Sequence, residues 1–113
     1  MKTAETTTVT IKTIDIQAFE WFDKVNGNSY FAAIITTDFG TPEAKEYRVP
    51  FEYGYGDFYI QAAAQKLDEL GVIPREHYSN GSSEALWRYC QREGIILRKS
   101  KQTGCKKAEV KAI

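Results

Sequence analysis

The 113-residue chain has the length of one domain, and with 42% hydrophobic and 27% charged residues it is too apolar for a disordered chain while holding no run that could span a bilayer. Integral membrane and collagen-like classes are excluded. The net charge is zero but unevenly placed: residues 1–83 hold seven Lys/Arg against twelve Asp/Glu and residues 84–113 hold eight against three, so an acidic body carries a basic end that can attract an anionic partner locally.

Met1 to Thr10 lacks the apolar core of a secretory signal, which makes a cytoplasmic location the expectation, and the two cysteines, Cys90 and Cys105, then read as free thiols. Thr6 to Lys12 alternates polar residues with Val9 and Ile11. The apolar phase then moves to Ile14 and Ile16 and back to Phe19 and Trp21, which predicts a bulge or break near Thr13. Asn26-Gly27-Asn28 is a hairpin turn, and Tyr30 to Ile35 after it is apolar at both parities, as in a central strand covered on both faces.

Beyond a loop at Asp38 to Pro42, the odd positions Tyr47, Val49, Phe51, Tyr53 and Tyr55 are apolar or aromatic. The spacing predicts a strand with one face on a helix, and Pro50, lacking an N–H, predicts that it lies at an edge. Twelve of the fifteen aromatic residues fall between Phe19 and Tyr59, so these strands should hold most of the core. Gly54 and Gly56 end the run, and Asp57 can cap a helix through Leu70, apolar at Ile60, Ala63, Ala64 and Leu67 and stopped by Gly71. Pro74 to Ser83 reads as a loop. A second helix runs from Ser82 or Ser83 to Arg92 or Glu93, closed by Gly94, with Leu86, Tyr89 and Cys90 on its apolar side. Ile95-Ile96-Leu97 is a short buried strand. The fold class expected is α+β: an antiparallel sheet of three or four strands with two helices on one face, residues 1–97, followed by a basic segment, 98–113, that is a strand or a mobile tail.

Catalytic signals are sparse. His77, the single histidine, sits in the predicted loop, and a zinc site from His77, Cys90 and Cys105 would lack a fourth ligand. Asp38, Glu43 and Lys45 follow the acid, acid, lysine order of metal-dependent nucleases, but Gly40 and Pro42 place them on a turn. Gly54-Tyr55-Gly56 before a helix could meet a phosphate, although Asp57 would repel it, and Asn80-Gly81-Ser82 reads as a turn. No catalytic residue, metal or cofactor is expected. Binding signals are stronger. Trp87, Arg88, Arg92, Arg98, Lys99 and Lys101 combine planar groups with cations, suited either to nucleic acid or to a core residue under a solvated basic surface. Trp21, Tyr53, Tyr55 and Tyr59 belong to an aromatic surplus beyond what a small domain easily buries, and any exposed remainder would be a protein interface.

The run from Val49 through the glycine turn to the alanine-rich helix, with Ala62-Ala63, loosely resembles the second half of double-stranded RNA binding domains. Where that family has a lysine cluster this chain has Asp57, Phe58 and Tyr59, so its phosphate grip is not carried over. The phrase Trp21-Phe22-Asp23-Lys24-Val25-Asn26-Gly27-Asn28-Ser29-Tyr30, with Val49-Pro50-Phe51, Tyr53-Gly54-Tyr55-Gly56-Asp57 and Ala85-Leu86-Trp87-Arg88-Tyr89-Cys90, resembles small bacteriophage and prophage proteins. That resemblance implies a small accessory protein in a bacterial host cell that binds a host or phage protein, an inhibitor or adaptor of a defence or replication component, with nucleic acid the alternative partner.

Overall fold

The structure, a computed structural model, describes residues 11–73 and 83–113. In chain order these form β1 (Thr13–Asp23), β2 (Asn28–Thr37), β3 (Lys45–Tyr53), α1 (Phe58–Glu69), α2 (Ser83–Glu93), β4 (Ile96–Gln102) and α3 (Lys107–Lys111). The strands make one sheet in the order β3-β2-β1-β4, an α+β arrangement. Its β1/β2 and β2/β3 pairs are antiparallel as expected, but β4 runs parallel to β1. The two helices between β3 and β4 carry the chain across the sheet, so the last strand enters in the same direction as the first.

The expected hairpin forms at Gly27, whose φ of 73° a Cβ-bearing residue resists. Ile11 and Lys12 lie outside any strand and β1 begins at Thr13, the place of the expected break; from there it pairs with β2 without interruption from Ile14↔Thr37 to Asp23↔Asn28. The change of apolar phase in β1 has another cause, since the strand is buried on opposite faces in its two halves. Ile14, Ile16 and Ala18 face α1 and α2, together with Phe31, Ala33 and Ile35 of β2. Phe19 and Trp21 face the other way, against Cys105, Val110 and Ile113 at the C-terminal end.

On the helix-bearing face, α1 contributes Ile60, Ala63, Ala64 and Leu67, and α2 contributes Leu86, Tyr89 and Cys90, all buried in one core. Alanines let α1 approach the sheet closely, since they add no bulk between backbone layers. The basic segment is not a tail. Residues 98–102 continue β4, so the expected boundary at residue 97 falls inside a strand, and residues 107–111 form α3, whose Val110 is fully buried on the second face. The Cys105 N–H donates to the Glu20 carbonyl at 3.0 Å, and the Lys106 N–H donates to the Glu109 carboxylate at 2.7 Å. The predicted strand at Thr6 to Lys12 and the loop holding His77 and Asn80 lie outside the described residues, apart from Ile11 and Lys12.

Candidate binding site

The site is set by an irregularity in β3. Between the pairs Ala33↔Val49 and Phe31↔Glu52, β3 has one residue more than β2, a bulge at Pro50 and Phe51. Proline cannot donate to a ladder, and a bulge on an outer strand is one of the few places a sheet accepts it. The bulge corrects the expected register: Tyr47 and Val49 pack on the helix-side core, but Phe51 joins the opposite face and Glu52 takes the parity of Phe31. Burial raises the pKa of Glu52 above its ordinary value.

Phe51 thereby completes an aromatic row across three strands. Tyr30 stacks on Trp21 at 5.5 Å and on Phe51 at 5.2 Å, with only 7° between the latter two planes. The ammonium of Lys107 lies 5.2 Å from the Trp21 ring centre and that of Lys111 lies 5.6 Å from that of Phe51. These rings are each partly covered, by one another and by the lysines of α3. The row ends differently. Tyr53 meets Tyr30 edge-on at 5.8 Å, Tyr55 meets Tyr53 edge-on at 6.5 Å, and these two rings are 55% and 68% exposed.

Beside them lies an open groove of about 370 Å³, lined by Tyr53, Gly54, Tyr55, Asp57, Phe58 and Gln61. Asp57, Phe58 and Gln61 belong to the start of α1, one helical turn apart, and the glycine corner swings that turn against the tyrosines. Gly54 is required by space: a Cβ there would lie 2.6 Å from the Phe58 ring and 2.7 Å from that of Phe31. Asp57 occupies the N-cap position, but its side chain makes no capping bond, and its carboxylate is exposed at the groove.

Of the four expected protein-binding residues, Tyr53 and Tyr55 are thus together and accessible. Tyr59 is not. It is 6% exposed and packs in the helix-side core, where burial and the charge of Asp57 raise its pKa. Trp21 is half covered beneath Lys107. Phe58 and Gln61 went unnoticed in the sequence, although their spacing after the glycine turn is that of a first helical turn facing the strand end.

The basic residues are divided between the two faces of the sheet, Arg98 on one and Lys99 and Lys101 on the other. Arg98 makes two hydrogen bonds to Asp15 across the parallel pair, at 2.7 and 3.2 Å, beside a smaller cavity of about 270 Å³ lined in part by Gln17, Ile34, Thr36 and Phe39 on the second face. Lys101 alternates to the helix-bearing face, where it donates to Glu20 at 3.4 Å and to the Gly56 carbonyl at 3.0 Å. Lys99 is opposite Ile16 and exposed, while Trp87, 49% exposed, lies with exposed Arg88 and Arg92 on α2.

The first acid of the acid, acid, lysine order is engaged in holding a loop. Asp38, at φ 53°, turns its carboxylate onto the N–H groups of Lys12 and Thr13 at 2.7 and 3.3 Å, fixing the loop. Cys90 and Cys105 are buried free thiols on opposite faces of the sheet, which prevents their sharing a metal. Among the described residues no three His, Cys, Asp or Glu side chains could hold one ion, and no helix is long and apolar enough to cross a membrane. Comparison of the chain with protein-family models, curated proteins and solved structures finds no match.

Proposed function

We propose that this chain is a non-enzymatic binding protein, an accessory protein of the phage-encoded kind whose phrases it resembles, and that its partner is a protein. The observation that carries this reading is the exposure of Tyr53 and Tyr55 at the end of an otherwise partly covered aromatic row, beside the groove at the start of α1. Tyrosine supplies a large rigid contact at a small entropic cost, and such residues are enriched among the few that dominate binding energy. The groove volume falls within the ~300–1,000 Å³ typical of clefts that take a ligand group, whereas the cavity at Asp15 and Arg98 is smaller and crossed by an ion pair. An inhibitory or adaptor role toward a defence or replication component in a bacterial cytoplasm is the form this binding would take.

The test compares wild type with the Tyr53→Ala/Tyr55→Ala double variant as immobilised baits in bacterial lysate, with and without nuclease. One or more proteins should be retained by wild type, survive nuclease treatment, and fall at least tenfold with the variant, since loss of a dominant contact costs about 2 kcal/mol or more. Equal retention by both baits refutes the reading. Recovery abolished by nuclease transfers it to nucleic acid.

A further inference from the structure

The groove itself indicates which side chain the partner brings. Two tyrosine rings at 70° to each other form one wall, Phe58 another, and among the described residues the Asp57 carboxylate is the one charge on its lining. Lys101, which reaches the neighbouring Gly56 carbonyl, is engaged there and by Glu20. Aromatic faces and edges beside an exposed carboxylate favour a cation, and they disfavour phosphate or an acidic peptide.

Resting on the protein-binding reading above, we infer that the groove receives an arginine side chain presented by an exposed segment of the partner. Guanidinium is planar and weakly hydrated, so it can lie against Tyr53 or Tyr55 while donating two N–H groups to Asp57; an ammonium can make only the point-charge contact. The Gln61 amide, one turn along α1 from Asp57, supplies a further acceptor for the remaining N–H groups. Lysine, an apolar side chain and a second copy of this chain are the competing occupants.

The experiment titrates the isotope-labelled chain with N-acetyl-argininamide, N-acetyl-lysinamide and the neutral N-acetyl-norleucinamide, following amide and tyrosine ring resonances. The arginine probe should shift the Tyr53 and Tyr55 rings and the amides of residues 54–61 at millimolar concentration, with lysine weaker and norleucine weaker still. Asp57→Asn should weaken the arginine response by about twofold to fivefold, the range of one solvated ion pair, and high salt should do the same. Equal shifts from the norleucine probe, a response unaffected in Asp57→Asn, or no response at those residues overturns the inference. Because the lysate comparison depends only on the tyrosines, a protein lost with the double variant but indifferent to Asp57→Asn would leave the binding reading standing and remove arginine as the occupant. Sedimentation of the free chain at the same concentrations distinguishes self-association, which would also overturn it.

Discussion

Substituting Gly54 by alanine tests whether the corner that makes the groove is as tightly packed as described. The glycine φ is not in the left-handed region, so the backbone accepts alanine without strain and the effect is one of space. The added Cβ would stand 2.6 Å from Phe58 and 2.7 Å from Phe31, against the 3.4 Å or more of ordinary contact, and both rings would have to move by most of an ångström. Phe31 is 2% exposed with no room to withdraw, and its edge-to-face contact with Phe58 at 6.0 Å ties the two together. Overpacking of this kind costs ~1–3 kcal/mol, while the reduced freedom of the unfolded chain returns ~0.4–1 kcal/mol, leaving a net loss of about 1–2 kcal/mol. Thermal and urea unfolding would record it as a fall in Tm of about 4–8 °C per kcal/mol with an unchanged urea slope. Phe58→Leu provides the companion: trimming that ring should relieve the clash, so the double variant should be more stable than the two single losses added together, by at least ~0.5 kcal/mol. If Gly54→Ala is as stable as wild type, or the losses simply add, the rings are not locked around this glycine and the groove has no fixed wall.

Three further outcomes are expected. Because burial raises the pKa of Glu52, the folded state holds its proton more tightly than the unfolded chain, and the associated stability is complete below the ordinary value of 4.5 and lost as pH rises through the folded one. Glu52→Gln should therefore be more stable than wild type at pH 7, by no more than a few tenths of a kcal/mol given its partial exposure, and should lose that advantage in melts below pH 4.5. Burial pushes the Cys90 thiol up to about 11, so at pH 8 it should resist iodoacetamide in the folded protein and react promptly in guanidinium, as counted by intact mass. Asp38→Ala removes the acceptor of two backbone N–H groups at a position with φ 53°, and should cost about 2 kcal/mol in urea unfolding, whereas Asp38→Asn, which tolerates that φ and keeps an acceptor oxygen, should cost less than half as much.

The period-two run from Tyr47 to Tyr53 was legible as a strand, but its register after Pro50 was not. Pro50 signals an edge or a bulge without saying which, and the alternation continued unbroken in the letters while the backbone shifted beneath them. In β1 the change of phase from Ile16 to Phe19 marks no shift of the backbone: the strand is uninterrupted and its two halves are covered on different faces, because α3 returns over only one end of the sheet. That return depends on Cys105, Val110 and Ile113 meeting Phe19 and Trp21, contacts some ninety residues apart that local patterning cannot express. Tyr53 and Tyr55 stood out by composition. Tyr59 carried the same letter but opens α1 on its inner side, a distinction made by the helix start and not by aromatic content.

The parallel pairing of β4 with β1 has a kinetic side. Asp15 and Arg98 are 83 residues apart, yet their strands are neighbours, so one edge of β1 stays unpaired until both intervening helices exist. The hairpins β1/β2 and β2/β3 need only local closure and can form early in synthesis. Until β4 arrives, Ile14 and Ile16 line an incomplete core and the bare edge of β1 can accept a strand from another molecule. Such a chain should fold in at least two resolvable phases, the slower one reported by ordering at β4, and aggregation during refolding should rise with protein concentration in the interval between them. Peptides matching Ile96 to Gln102 added in that interval would compete for the open edge, placing the last step of assembly at the strand that enters last.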